Sequence, residues 1–155
     1  MNEVLRVIRD RRSIRRFTRA DVSDSELTAI REAERWALSG ENTQPRQFVA
    51  VRSVGKYATL ARVAPQNRMI EIASVTIVVL YNCRSGYDRV KDLQSVRAAT
   101  ENTLLAAHSL GLAACWLRKV RGPEIERFLE DDSDEELVAL TQSDVLAKPC
   151  SATSP

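Results

Sequence analysis

The run Val75-Thr76-Ile77-Val78-Val79-Leu80 constrains this chain more than any other stretch. Its β-branched residues favour an extended strand. A strand apolar at successive positions has no polar face to turn to water, so it belongs at the centre of a sheet covered on both sides. The run, extended at most to Tyr81, is strand-sized and far short of the roughly 18–20 apolar residues a membrane span needs. At 155 residues, with 44% apolar and 28% charged side chains, the chain has room for one soluble domain with a single core.

The rest of the chain supplies the covering layers. Asn2 to Asp10 reads as a short helix, with Val4, Leu5, Val7 and Ile8 apolar. Arg11 to Phe17 reads as loop or short strand. Ser23-Asp24-Ser25-Glu26 has the form of a capping box. Leu27, Ile30, Ala33 and Ala37 recur at helical spacing behind it, so a helix over 24–37 is expected, stopped by Ser39-Gly40. Asn42 to Pro45 is a polar loop. Gln47 to Arg52 reads as a buried strand and Lys56 to Val63 as a short helix. The longest helix spans Asp88 to Leu110, with Gly111 after it. Leu112 to Leu117 reads as a second central strand. A short acidic helix opens at Gly122-Pro123, and Glu136 to Thr141 forms a last strand. This order predicts an α+β layered domain whose small mixed sheet is flanked by helices.

Charge is close to balanced overall at +2 but unevenly placed. Residues 1–20 carry seven Arg against Glu3 and Asp10, whereas residues 121–144 carry nine acids against Arg121 and Arg127. The overall balance argues against a strongly cationic nucleic-acid binder. The N-terminal residues, broken by Arg6, Arg9 and Asp10, lack a signal-peptide apolar region. Cys83, Cys115 and Cys150 are far apart and odd in number, and with one His and no CxxC they offer little for a zinc site. A reduced, cytoplasmic protein with neither nucleic-acid nor membrane partner is the expectation.

Groups for acid, base or nucleophilic chemistry are scarce. The chain has no GxGxxG, P-loop or GxSxG motif. His108 lies within the long helix without an obvious partner, Cys115 sits in an apolar run, and Asp131 and Asp132 fall in an acidic loop. No catalytic side chain and no metal ligand is assigned. A borrowed cofactor is the better source of reactivity. The best constellation for holding one is basic and amide-rich. Arg11, Arg12, Ser13 and Arg15 crowd five positions, and Arg forks with a hydroxyl suit a phosphate. Asn42 and Gln44 flank the turn before Pro45, and carboxamides both donate to and accept from the edge of a heterocycle.

Taken in order, these segments resemble the flavin-dependent nitroreductase family. R-R-S-I-R-R-F is similar to its R-R-S-I-R-x-F. W-A-L-S-G-E-N-T-Q-P-R-Q-F is similar to its A-x-x-A-P-S-x-x-N-x-Q-P-W-x-F. E-N-T-L-L-A-A-H-S-L-G-L-A-A-C-W is similar to its helix-to-strand segment. The resemblance spans roughly residues 4–140. It implies an FMN-binding fold working as a homodimer, in which NADH or NADPH supplies hydride and a nitroaromatic, quinone or similar small aromatic acceptor takes it in a ping-pong cycle. It implies that Arg11, Arg12, Ser13 and Arg15 meet the FMN phosphate, ribityl chain and ring edge. Asn42 and Gln44 would reach FMN from the neighbouring subunit, and Trp116, Leu117 and Arg118 would pass its reactive nitrogen. A dimer of the same fold without efficient turnover is the alternative.

The sequence departs from that pattern at four places. Leu38 stands for Pro, Arg46 for Trp, and Arg118-Lys119 for small residues and Gly. The fourth departure is the tail. After the strand at 136–140 the family continues with an apolar-Gly-Tyr-Pro turn and basic residues, but here the text is T-Q-S-D-V-L-A-K-P-C-S-A-T-S-P. Codons can be chosen for Thr141 to Lys148 whose shifted frame reads Ala-Ile-Gly-Cys-Pro-Arg-Glu. Residues 1–140 are therefore read as the flavin domain and 141–155 as an atypical, truncated or frameshifted tail, low in hydrophobicity and weakly held.

Overall fold

The computed structural model describes residues 2–18, 20–52, 68–82, 85–117 and 137–147, the last stretch as backbone. Helix α1 spans Glu3–Asp10, begun by Asn2, whose side chain accepts from the Leu5 amide. Helix α2 spans Asp24–Arg35 and opens with the expected capping box between Ser23 and Glu26. A 3₁₀ turn at Gly40–Asn42 leads to strand β1, Arg46–Val51. A one-turn helix α3, Met69–Ile72, which the sequence pattern does not announce, precedes β2, Val75–Asn82. Helix α4 runs over Arg89–Ser109, with Asp88 accepting from the Val90 and Lys91 amides at its start. Strands β3, Ala113–Leu117, and β4, Leu137–Ala147, complete the described elements. The helices expected at 56–63 and from Gly122 lie outside the described residues, as do Arg118, Lys119 and 148–155.

The strands form one sheet in the order β1-β2-β4-β3, each neighbouring pair antiparallel. Outside the named strands, Ser13 forms a parallel bridge with Ala114, and the Ile14 amide donates to the Ala114 carbonyl at 3.0 Å. The sequence pattern predicts a mixed sheet, but its described strand pairs are all antiparallel. All eight residues of β2 are buried, as the unbroken apolar run requires. Strand β1 is an edge strand in which only Val51 is fully buried, rather than the buried strand its apolar text suggests. Strand β3 ends the four-strand order instead of lying at its centre. It is buried except at Trp116, with α4 packed against it and Ser13 bridged to Ala114.

Strand β4 passes well beyond the expected end at Thr141 and crosses the limit drawn at residue 140. Residues 143–146 pair with both β2 and β3, and Ala147 pairs with β3, so this part of the tail lies inside the sheet. The ladder is irregular where the sequence changes character. Val78 faces Ser143 but Leu80 faces Ala139, so β4 carries extra residues across 140–142.

The core lies between the sheet and α2 and α4, with Ile30, Val75, Ile77, Val79, Val96, Leu104, Ala107 and Leu112 at its centre. Helix α4 also buries Thr100 and Thr103, whose hydroxyls donate to the Val96 and Ala99 carbonyls one turn back. That local bond removes the cost of an unsatisfied buried hydroxyl. At the start of α4, buried Asp92 accepts through one oxygen from the Tyr81 hydroxyl and the Tyr87 and Asp88 amides.

Candidate functional site

The basic segment leaves α1 and lies along β3. Arg11 is half-buried, and its Nε stands 3.2 Å from Glu101 Oε1 of α4, though at an angle that leaves the buried N–H without a hydrogen bond. Arg12 turns back on α1 and donates from Nη1 to the Arg9 and Arg11 carbonyls at 2.7 and 2.8 Å. It thereby caps the negative end of that helix. Arg15 makes one long bond, 3.4 Å, to the Ser13 carbonyl. Arg12, Ser13 and Arg15 are exposed, and among the described residues neither Arg12 nor Arg15 has a carboxylate partner. Exposed guanidinium groups without carboxylate partners suit an anion.

The carboxamide loop lies elsewhere. Glu41, Asn42 and Gln44 all take left-handed backbone, with φ of 51°, 55° and 47°. Asn tolerates that region, but for Glu and Gln it is a strain of about 1–3 kcal/mol each. The Gln44 side chain donates to Asn42 Oδ1 at 2.9 Å, and the Gln44 amide donates to Ser39 Oγ at 3.2 Å. Both side chains line a hollow of about 460 Å³ with Glu32, Trp36, Leu38 and Ser39. No hydrogen bond or ion pair among the described residues joins this loop to residues 11–15. Leu117 is buried at the far end of β3 from the Ser13 bridge, and Trp116 is partly exposed beside it. Arg118 lies outside the described residues. Within one chain, then, the basic segment and β3 come together, and Asn42 and Gln44 form a second, separate cluster.

A buried polar group beneath the loop escaped the sequence reading. Glu34 is 2% exposed on the core face of α2, and its Oε1 lies 3.2 Å from the Thr103 hydroxyl of α4, whose one proton it shares with the Ala99 carbonyl. Burial pushes its pKa up to about 7, against the opposing pulls of Thr103, Arg31 and Arg46. Burial likewise lowers Arg46, which Glu34 pulls back up. Arg46 Nη2 donates to the Ala37 and Arg35 carbonyls at the end of α2. The signal was present: Leu27, Ile30 and Glu34 share a helical stripe, and Arg46 stands where an aromatic is usual. Among the described residues no group of His, Cys, Asp and Glu is placed to hold a metal, and no helix is long and apolar enough to cross a membrane.

The model of the nitroreductase family matches residues 8–79 and 54–142. The chain belongs to the nitroreductase family. A provisionally named NADH dehydrogenase/NAD(P)H nitroreductase of Archaeoglobus fulgidus is 36% identical over 118 residues, covering 76% of this chain and 68% of that protein. A provisionally named nitroreductase from Desulfovibrio desulfuricans, solved in complex with FMN, superposes with a TM-score of 0.87 at 35% identity. That match covers 100% of this chain and 93% of the other. A Bacteroides thetaiotaomicron structure with a TM-score of 0.88 at 24% identity, covering 100% and 91%, shares the fold. The nitroreductase fold thus accounts for the arrangement of helices around the small sheet.

The residues present fit a phosphorylated, flat heterocycle. An orphaned buried guanidinium N–H at Arg11 and two cations without acids suit a phosphate. The Asn42–Gln44 carboxamide pair suits a ring edge.

Proposed function

We propose that this nitroreductase-family chain binds FMN and acts as an NAD(P)H-dependent oxidoreductase, reducing a nitroaromatic, quinone or similar small aromatic acceptor. The observation that carries this reading is the Arg11–Arg15 segment bridged to β3 at Ser13, in which Arg12 and Arg15 have no carboxylate partner among the described residues. When bound, FMN supplies hydride acceptance from NADH or NADPH and hydride donation to the acceptor. The chain's residues bind and orient. Arg12 and Arg15 would hold the phosphate, with Arg11 sharing its charge between that anion and Glu101. Ser13 would add a hydroxyl donor. Asn42 and Gln44 would address the ring edge, and the Leu117–Arg118 backbone would pass the reactive nitrogen.

The separation of the two clusters within one chain supports a site completed by a second copy. An apolar groove of about 350 Å³ between α1 and α4, lined by Val4, Val7, Ile8, Ala33, Leu105 and Ala106, supports the same homodimer. Val4, Leu5 and Ile8 are more than half exposed, an arrangement that a partner's apolar surface would relieve.

The direct test is an absorbance spectrum after FMN addition and gel filtration. A flavin band travelling with the protein is expected, and a colourless protein would favour the non-redox dimer instead. Arg11→Ala, Arg12→Ala and Arg15→Ala should each weaken FMN about tenfold or more, the worth of one charge-assisted hydrogen bond. Titrations of all three that overlay the parent's would remove the phosphate assignment.

A further inference from the structure

Left-handed backbone at Glu41, Asn42 and Gln44 persists only if its surroundings over-determine it. Several restraints lie inside the loop: the Gln44 amide on Ser39 Oγ, the Thr43 hydroxyl on the Gly40 carbonyl, and the Gln44 side chain on Asn42. One restraint spans it. Arg46 is the first residue after the loop, and its Nη2 donates to the Ala37 carbonyl at 2.7 Å and the Arg35 carbonyl at 3.4 Å, just before the loop. Carbonyls at a helix end lack intrahelical donors and carry partial negative charge, so a guanidinium there is doubly suited. The clasp joins the loop's entry to its exit.

We propose that Arg46 is a positioning residue: it clasps the 39–45 loop shut and so presents Asn42 and Gln44 to the flavin. The inference rests on the flavin reading above. Arg46 touches no reacting group and acts through the loop. Where the family usually carries an aromatic wall, this chain uses an ionic bracket. The groups acting on Glu34 are Arg31 from its own helix, Arg46 from β1 and the Thr103 hydroxyl from α4. Burial disfavours the Arg46 cation, and any negative charge on Glu34 opposes that.

The test compares Arg46→Met and Arg46→Lys with the parent by amide hydrogen exchange and by FMN titration. In Arg46→Met the Asn42, Thr43 and Gln44 amides should exchange about tenfold faster, with the α4 amides unchanged. FMN affinity should fall about tenfold. Arg46→Lys, whose ammonium also reaches a carbonyl, should recover most of both. Should Arg46→Met not fold, Arg46→Gln carries the same comparison, being polar but too short to reach Ala37. Unchanged loop exchange, unchanged FMN affinity, a uniform acceleration across α4, or a lysine variant that behaves like methionine would each overturn the proposal. A parent that binds no FMN would refute the flavin reading instead, and the exchange measurement would still decide whether Arg46 holds the loop.

Discussion

Glu34 is a carboxyl group that the fold prefers to keep protonated, because burial lifts it from 4.5 to about 7. Below pH 4.5 both folded and unfolded chains hold the proton, and the group costs nothing. Between 4.5 and 7 the unfolded chain releases a proton that the folded chain keeps, so stability falls as pH rises. Above 7 the full cost remains, on the order of 3 kcal/mol. Glu34→Gln should therefore unfold at higher urea than the parent at pH 8.5 and show no such advantage at pH 4. An equal difference at both would mean the carboxyl does not titrate in this way. This group shows where the site was legible and where it was not. Arg11, Arg12, Ser13, Arg15, Asn42 and Gln44 stand out because each cluster is contiguous and its residue types carry its chemistry. Glu34 meets Thr103 from 69 positions away, so no window of sequence displays the pair. The strain at Glu41 and Gln44 was hidden too, since neither residue type asks for left-handed backbone.

Elements were legible where local chemistry decides them. Ser23 Oγ accepts from the Glu26 amide at 3.2 Å while Glu26 Oε2 accepts from the Ser23 amide at 2.7 Å. The capping box therefore starts α2 where the text places it. Ser23→Ala should cost about 1 kcal/mol in urea unfolding and Ser23→Thr much less. An alanine variant as stable as the parent would mean α2 is held by packing alone. The β-branched run likewise became β2, and Asp88 and Gly111 bracket α4. The strand environments were harder. Strand β1 reads as buried and is an edge, and β3 reads as central and ends the order, because β4 takes the place between β2 and β3. Pairing over such separations is not written in any local pattern. The same holds for Thr141 to Ala147, whose polar start suggests a loose tail and whose ladder contacts place it in the sheet.

At the scale of the whole molecule, the α1–α4 groove and the division of the site into two clusters lead to one expectation. Light scattering should report twice the chain mass, and Val4→Asp with Ile8→Asp should reduce it to the chain mass. FMN affinity should fall with it, although neither residue belongs to the proposed flavin contacts. A dimer that survives both charges, or a native monomer in the parent, would detach the site from assembly. The strand order carries a further consequence for how the chain reaches this state. Val75 to Asn82 must wait for Leu137 to Ala147 before its second ladder forms, and among the described residues β3 joins the sheet through that same strand. Such non-local contacts close late and slow folding. On the ribosome, the most apolar strand of the protein spends the synthesis of all the intervening residues with an open edge. The interval before β4 arrives is when this chain is most exposed to aggregation.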